Sequence, residues 1–398
     1  MTRRVAVTGI GVIAAPGSTR TSFWESLREG RSAIRPMTLV PEGALRFPNA
    51  AEVREFRASD YMEEKDADLL DRFAQFALIA AREAVAESEL SGARTAVVTG
   101  TSSGGRTSED REFHSLYAEG ATRIHPLTIA RTMSNAGTSR IALEYGITGP
   151  SYTVSTACAS ASHAIGQAFW MVRNGVVDAA LAGGSEAPFS MGFLKAWEAM
   201  RIVSPDTCRP FSRDRKGLIL GEGAAMLLLE PLDHARARGA KIWGEIAGFG
   251  MSSDAFHLTL PLPAGAARAM RSALEDAGVA PDAIGYTNAH GTGTQANDVT
   301  ETQAIREVFG SHSDKLPVSS TKSMHGHALG AAGALEAAAT LLALHDGLIP
   351  PTVNFTEADP ACALDVVPNA ARPASIEWAL SNSFAFGGLN AVLVFRKT

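Results

Sequence analysis

Short apolar runs alternate with segments of helical periodicity along the whole 398-residue chain. This alternation is typical of α/β proteins whose strands are buried on both faces. The pattern predicts strands at Val5–Val12, Thr95–Thr99, Ala179–Ala182, Ala224–Leu229, Trp243–Phe249, Tyr286–Asn288, Val318–Ser320, Trp378–Ser381 and Ala391–Phe395. It predicts helices at Ser22–Arg28, Leu69–Ser88, Ala130–Tyr145, Ala159–Asn174, Ala264–Ala277, Asp298–Phe309 and Gly330–His345.

The predicted elements form two series of similar kind, and the second series begins near Ala240. No low-complexity linker separates them. The pattern therefore predicts two related α/β halves, 1–240 and 241–398, that pack against each other in layers rather than two tethered domains.

Composition excludes several classes of function. The formal charge of -6 disfavours nucleic acid binding, which requires a basic face. Apolar runs stay shorter than the roughly 20 residues that span a bilayer, so no membrane segment is expected. The first apolar stretch is interrupted by Thr8, Gly9 and Gly11 and is interpreted as a buried strand rather than a signal peptide. Three widely spaced cysteines form no zinc pattern, and a cytoplasmic protein is expected.

A cysteine lies between a strand and a helix in the segment 154–175. A strand-like YTVST precedes it, and apolar residues at helical spacing follow it. Cys158 is thus predicted at a helix N-terminus, where unpaired amides and the helix dipole favour a thiolate. The small neighbours Ala157 and Ala159 leave room for a substrate. The segment predicts a nucleophile, with a buried structural cysteine as the alternative.

A second segment, NAHGTGTQANDVTE, ends a strand in a loop of glycine and threonine. Loops at the carboxyl ends of strands are where α/β folds place ligands. His290 begins this loop, and Thr292 and Thr294 offer hydroxyls to a polar, extended ligand. Asp298 is predicted to cap the next helix, with Glu301 at a capping-box-like spacing.

Two further segments join strands to polar or aromatic turns. In VSSTKSMHGHALGAAG, His327 precedes a helix of small residues, and His325 is its near neighbour. Lys322 lies five residues before His327, and a buried cation is costly without an anionic partner or a catalytic role. In SNSFAFGGLNAVLVF, the residues Phe384 to Gly388 predict a mobile hydrophobic gate, with ordinary core packing as the alternative.

Together the four segments resemble the elongating β-ketoacyl-acyl-carrier-protein synthases of the thiolase superfamily. The resemblance extends from VAVTGIGV to LVF, and the motifs TACAS, NAHGTGT and STKSMHGHALGAAG carry it. GGSEA from Gly183 is a further match. The resemblance implies an α/β, thiolase-like fold with two related βαβαβαββ halves in a five-layer α-β-α-β-α arrangement.

The resemblance also implies a decarboxylative condensation. Cys158 would take the acyl chain as a thioester, and the backbone amides of Cys158 and Phe386 would form the oxyanion hole. His290 and His327 would hydrogen-bond the malonyl thioester carbonyl, promote loss of carbon dioxide and let the enolate attack the acyl-cysteine. Phe384, Ala385 and Phe386 would form the gate.

Supporting residues and partners follow from the same resemblance. Lys322 would stay charged and hydrogen-bond within the site, with Glu301 as its candidate partner, and Asp298 and Glu301 would support the site. Thr292 and Thr294 would hold the phosphopantetheine arm of acyl carrier protein. No metal, nicotinamide or flavin is implied. The second subunit would be an identical copy or a chain-length-factor-like protein.

The sequence departs from the family pattern near the site. Ala385 stands where the family has glycine, which predicts a stiffer gate, and Leu218 stands where phenylalanine is usual, which predicts a wider pocket. Residues 102–105 are small where long side chains would close the acyl pocket. These departures favour a specialised type II polyketide or polyene ketosynthase over ordinary fatty acid elongation by a homodimer.

The carrier-binding surface also departs from the pattern. Asp68 lies where basic residues would attract an acidic carrier, so Arg72, Arg123 and Arg201 are the alternative contacts.

Three other classes of protein are weaker interpretations. A degradative thiolase needs a second reactive cysteine in the C-terminal motif, and SNSFAFGGLN has none. A non-catalytic chain-length factor lacks the nucleophile, whereas Cys158 is present. A cysteine hydrolase needs free access of water, which a Phe/Gly gate would oppose.

Overall fold

A computed structural model describes residues 2–86, 88 and 92–398. Its strands are β1 Val5–Ala14, β2 Arg35–Pro36, β3 Asn49–Ala50, β4 Thr95–Gly100, β5 Ser151–Val154, β6 Ala179–Glu186, β7 Gly223–Pro231, β8 Gly244–Ser253, β9 Tyr286–Asn288, β10 Val318–Ser319, β11 Leu348–Ile349, β12 Arg372–Pro373, β13 Trp378–Ala385 and β14 Leu389–Arg396.

Helices connect most of these strands. They are α1 Arg20–Arg28, α2 Glu64–Ala67, α3 Arg72–Val85, α4 Arg106–Tyr117, α5 Thr128–Thr132, α6 Ala136–Glu144, α7 Ser160–Arg173, α8 Met191–Met200, α9 Leu232–Ala237, α10 Pro263–Ala277, α11 Gln295–Phe309, α12 Lys322–His325 and α13 Ala332–Asp346. No helix in the described ranges is long and apolar enough to cross a membrane.

The main sheet repeats one strand order twice. Within the described residues it runs β10-β9-β13-β14-β8-β1-β7-β6-β4-β5. The first five strands of the chain in this sheet and the last five share the spatial order third, second, fourth, fifth, first. The pairing directions also agree: the second strand is parallel to the third and fourth, and the fifth is antiparallel to the fourth and first. Two βαβαβαββ units of the same topology therefore meet where β1 pairs with β8.

Helices lie outside and between the two units. α3 packs on β1 and β7, and α10 packs on β8 and β14. The central helices α7 and α13 contact each other and strands of both units. The outer helices, the strands of each unit and the central helices α7 and α13 therefore form five layers, α-β-α-β-α, as the resemblance implied. The boundary at residue 240 stays a prediction.

Small residues allow these layers to approach closely. Gly11 of β1 lies against α3, and a Cβ added there would meet the carbonyl oxygen of Ala80 at 1.9 Å. The glycines that interrupt the first apolar run thus serve strand–helix packing. Helix α13 is buried from Ala332 to Leu344, because alanine and leucine cover every face of it.

The sequence pattern misplaced some helices. The predicted helix 130–145 is divided into α5 and α6, with Met133 in an extended conformation between them. The predicted helix 69–88 is observed only as α3, which begins after Asp71 because the Asp71 carboxylate accepts from the Phe73 amide. Glu87, one residue before the predicted end, lies outside the described residues. Helix α4 was not predicted because it is mainly polar and buries only Ser108.

Candidate active site

Cys158 lies in a tight turn between β5 and α7. Ala157 before it has φ 48°, a conformation that costs energy for any residue with a Cβ. Ser160 closes the turn: its hydroxyl accepts from the Thr156 amide at 2.9 Å and donates to the Ala157 carbonyl at 2.7 Å. The turn presents Cys158, which is 8% exposed, to a cavity at the junction of the two halves.

Burial governs the protonation of this thiol. Burial raises the pKa of Cys158 to about 11, against the smaller opposing effects of the Lys322 charge and the backbone amides of Phe386 and Cys158. The raised pKa favours the protonated thiol at rest, opposite to the direction expected from the helix N-terminus. The same two amides were predicted as the oxyanion hole, and both point at the sulfur.

His290 follows β9 and lies in the same cavity. Its backbone amide donates to Glu301 Oε1 at 2.8 Å, and that of Gly291 donates to Glu301 Oε2 at 2.8 Å. The side-chain amide of Asn382 donates to Glu301 at 3.1 Å. Glu301 thus fixes the start of the His290 loop. Burial raises the pKa of Glu301, and these three donors oppose that effect.

His290 and His327 meet edge to face, with ring centroids 5.4 Å apart and planes at 85°. Burial, then the charge of Lys322, holds the pKa of each well below its usual range, so both rings are neutral. The Lys322 ammonium lies 3.3 Å from His290 Nδ1 and can only donate. We therefore assign the ring proton of His290 to Nε2, which makes that nitrogen a donor.

The partner of Lys322 is Glu336, not Glu301 as the sequence suggested. Both side chains are fully buried and their charged groups are in contact. Burial raises the pKa of Glu336, and the ammonium opposes this effect. Glu336 is an acid inside the apolar helix α13, and that isolation was the signal that sequence reasoning missed.

Asp298 does not cap α11. The cap is Thr294, whose hydroxyl accepts from the Asn297 amide at 3.4 Å. The Asp298 carboxylate accepts from the backbone amides of Phe211 at 2.8 Å and Gly293 at 3.2 Å. Asp298 therefore anchors the loop that carries Thr292 and Thr294. It does so from the first turn of α11 and not from the N-cap position.

The shared cavity has a volume of about 250 Å³. Its walls combine the reactive side chains, the predicted gate and a mainly apolar rim. They include Cys158, His290, His327, Thr292, Thr294, Phe384, Ala385, Phe386, Trp197, Met200, Ile202, Leu218, Leu258 and Leu260.

The gate residues form a strand end and a turn. Ala385 is the last residue of β13 and pairs with Leu389, so its backbone is extended and its Cβ causes no strain. Phe386 stacks on Trp197 with ring centroids 6.3 Å apart. The Gly387 amide donates to the Leu258 carbonyl at 2.7 Å, which ties the turn to the cavity rim.

The structure shows where other residues lie that were expected to shape the acyl pocket or to contact the carrier. Ser102 and Ser103 do not border the cavity; they bind the carboxylate of Glu186. Arg72 is engaged with the buried Glu222 at 2.7 Å, which leaves its guanidinium less free to contact a carrier. Arg201 is exposed between Met200 and Ile202, which both line the cavity.

Known structures share this fold over the full length of the chain. The ishigamide ketosynthase/chain length factor matches with a TM-score of 0.95 and 40% identity over 100% of both chains. A type II PKS acyl-carrier protein in complex with its ketosynthase bound to the hexaketide matches with a TM-score of 0.89 and 32% identity, again over 100% of both chains. The fold is therefore that of thiolase-like ketosynthases.

Sequence comparisons identify the family. The models described as "Beta-ketoacyl synthase, N-terminal domain" and "Beta-ketoacyl synthase, C-terminal domain" match residues 2–235 and 243–356. Nodulation protein E of Rhizobium sp. (strain N33) is 46% identical over 402 residues, with 100% of both chains covered. The 3-oxoacyl-[acyl-carrier-protein] synthase 2 of Synechocystis sp. is 42% identical over 410 residues, covering 99% of this chain and 98% of that protein. The chain belongs to the β-ketoacyl synthase family, whose members are acyltransferases.

Proposed function

We propose that the chain catalyses a decarboxylative Claisen condensation between an acyl group on Cys158 and a malonyl thioester. The observation that carries the proposal is that Cys158, His290 and His327 line one largely apolar cavity, in which the two histidine rings meet edge to face. A neutral imidazole can donate a hydrogen bond to a developing enolate oxygen without carrying a formal positive charge itself.

The first half-reaction loads the cysteine. The thiol, protonated at rest, attacks the acyl thioester carbonyl as its proton passes to the departing carrier thiol. The amides of Phe386 and Cys158 lie at the sulfur, which supports their assignment as donors to the tetrahedral oxyanion. The product is an acyl thioester on Cys158.

The second half-reaction uses the histidines. The malonyl thioester carbonyl would accept from His290 Nε2 and from His327, the carbon–carbon bond to the carboxylate would break, and carbon dioxide would leave. The enolate then forms the new bond to the acyl carbonyl, and Cys158 leaves as the thiolate. Lys322 keeps the His290 proton on the nitrogen that faces this oxygen.

We propose that acyl carrier protein delivers both substrates on its phosphopantetheine arm, in the cytoplasm. Thr292 and Thr294 line the cavity and their hydroxyls lie 2.9 Å apart, which suits the amides of that arm. Met200 and Leu258 line the cavity and are exposed, and the exposed Arg201 directly follows Met200 in the chain. An acidic carrier surface with an apolar centre fits such a rim.

We propose a second subunit at the edge of the sheet. Strand β5 is an edge strand, and neighbouring helices expose Tyr117, Ile129 and Leu143 with 83%, 74% and 76% of their surface. Helix α6 contacts β5, α5 contacts α6, and α4 contacts α5, so the helices that carry these side chains adjoin the edge strand. Gel filtration of the purified chain, alone and co-expressed with a chain-length-factor homologue, separates a homodimer from a heterodimer.

The pathway proposal is a specialised polyketide or polyene chain. Leu218 lines the cavity, which supports the expected wider wall, and a ketosynthase/chain length factor pair is a close structural neighbour. A competition assay between saturated and α,β-unsaturated acyl-carrier substrates tests this. A homodimer that prefers long saturated chains would indicate ordinary fatty acid elongation instead.

Acylation provides the direct test of the reaction. After incubation with acyl-carrier thioesters, mass spectrometry should find the acyl group on Cys158, and Cys158→Ala should lose both acylation and condensation. Cys208→Ala and Cys362→Ala serve as controls and should keep both. An acyl group on Cys208 or Cys362 in the wild-type chain would refute the assignment.

A further inference from the structure

Glu186, the acid of the GGSEA segment, is a buried carboxylate that the reaction scheme leaves unused. It is the last residue of β6, and its side chain is fully buried. No ion pair involves it within the described residues. A buried charge without a cation requires hydrogen bonds from every direction.

Six donors meet this carboxylate in the described part of the chain. Oε1 accepts from the Thr101 hydroxyl at 3.0 Å, the Ser103 amide at 3.1 Å and the Ser103 hydroxyl. Oε2 accepts from the Ser102 amide and hydroxyl, each at 2.7 Å, and from the Gly330 amide at 2.9 Å. Three of these donors are backbone N–H groups, which can only donate.

The donors come from both halves of the fold. Thr101, Ser102 and Ser103 follow β4 in the first half, whereas Gly330 lies three residues after His327 in the second. A Cβ added to Gly330 would lie 2.3 Å from the Ser102 amide nitrogen, so the two turns are in direct contact. Glu186 therefore joins them through one carboxylate.

This junction packs against the start of α7, the helix that Cys158 precedes. A Cβ at Gly100, just before the donor turn, would meet the Ala161 amide nitrogen at 2.4 Å. A Cβ at Gly184, two residues before Glu186, would meet the Ala161 Cβ at 2.6 Å. Ala161 is three residues from Cys158, so Glu186 supports the cysteine turn and the histidine turn together.

We propose that Glu186 is a positioning residue for the condensation: it fixes the His327 turn relative to Cys158 by binding turns from both halves. The inference rests on the proposed function. Its negative charge has a second effect, because it opposes the Lys322 charge at the thiol and helps to raise the pKa of Cys158. This effect adds to the larger effect of burial, which raises the pKa of the thiol.

Two substitutions separate the geometry from the charge. Glu186→Gln keeps the length of the side chain but removes the charge, and its NH₂ group faces backbone donors. Malonyl decarboxylation should fall about tenfold or more, because small displacements of a catalytic group are costly. The pH midpoint for alkylation of Cys158 by iodoacetamide should move to lower pH. Glu186→Asp keeps the charge but is one methylene too short, so decarboxylation should fall while the midpoint stays.

Glu83→Gln is the matched control. Glu83 also accepts backbone amides, from Val12 at 2.7 Å and Arg20 at 2.8 Å, but lies on the outer helix α3. Its substitution should lower thermal stability without moving decarboxylation or the alkylation midpoint. The same result for Glu186→Gln, a loss of stability alone, would overturn the proposal.

Milder variants cover the case in which Glu186→Gln does not fold. Ser102→Ala and Ser103→Ala each remove one hydroxyl donor and should slow decarboxylation a few-fold; full activity in both would overturn the proposal. A wild-type chain that fails to decarboxylate malonyl thioesters would refute the proposed function instead. The alkylation midpoint would still test the effect of the Glu186 charge on the thiol.

Discussion

Two turns occupy the same place in the two halves and do different chemistry. Each connects the third main-sheet strand of its unit to a central helix. The first turn leads from β5 to α7, and the second leads from β10 to α13. The cysteine turn is short and is built from small neutral residues around Cys158. The histidine turn is longer, contains α12, and carries Lys322, His325 and His327.

The two turns are stabilised by different forces. The cysteine turn relies on backbone and hydroxyl hydrogen bonds, which offset the positive φ of Ala157. The histidine turn relies on a buried ion pair between Lys322 and Glu336, in which each charge is tolerable only because of the other. One topological position therefore holds a nucleophile in a turn built from neutral residues, and a histidine donor in a turn built around a buried ion pair.

Breaking the buried pair should have the largest effect. Lys322→Met leaves Glu336 buried without a cation, which should lower the free energy of unfolding by about 3–5 kcal/mol. The double variant Lys322→Met with Glu336→Leu should recover much of this loss, because neither charge remains. Urea denaturation measures both. Lys216→Met is the control, since its ammonium is exposed and should matter by less than about 1 kcal/mol. Equal losses in the single and double variants would contradict the comparison.

Removing a donor from the histidine turn should separate the two half-reactions. His327→Ala should slow malonyl decarboxylation about a hundredfold or more, because an oxyanion donor is lost. Acylation of Cys158 should continue, since that step uses the other turn. Carbon dioxide release and mass spectrometry follow the two steps independently. His345→Ala, at the end of α13 and partly exposed, should leave both unchanged. Normal carbon dioxide release by His327→Ala would show that His327 is not a donor to the enolate oxygen.

A charge outside both turns should affect carrier binding alone. Arg201→Glu should raise the KM for the malonyl carrier up to about fivefold, since one exposed charge pair contributes at most about 1 kcal/mol. The KM for a free pantetheine thioester should not change. Arg236→Glu on α9 is the control, because it is exposed and, unlike Arg201, has no cavity-lining residue beside it in the chain. Equal effects on both substrates would place Arg201 in the site rather than on the carrier surface.

The smallest effect is expected at the gate. Ala385→Gly should cost less than about 1 kcal/mol of stability and should speed hydrolysis of the acyl group on Cys158, because glycine loosens the end of β13. A mass-spectrometric time course measures the hydrolysis. Ala379→Gly, at the other end of the same strand, should lose stability without this effect. An unchanged hydrolysis rate in Ala385→Gly would show that Ala385 does not stiffen the gate.

The sequence by itself determined much of this picture. Short apolar runs and helical periodicity located nine strands of the main sheet and the central helices, because these patterns depend on residues a few positions apart. The family resemblance of short motifs made Cys158, His290 and His327 the candidate site residues, and all three line one cavity. Helix α4 and the division between α5 and α6 were missed, because their polar surfaces show little periodicity.

Only the tertiary structure decided the partners and the protonation of these residues. Lys322 pairs with Glu336 and not Glu301 because α13 brings that acid across the core, and Glu186 binds Gly330 over 144 positions of the chain. Desolvation likewise raises the pKa of Cys158, opposite to the direction expected from the helix N-terminus, since burial depends on packing between the two halves. Motifs identify which side chains can react; the packing of distant elements decides which charges face them and which remain in water.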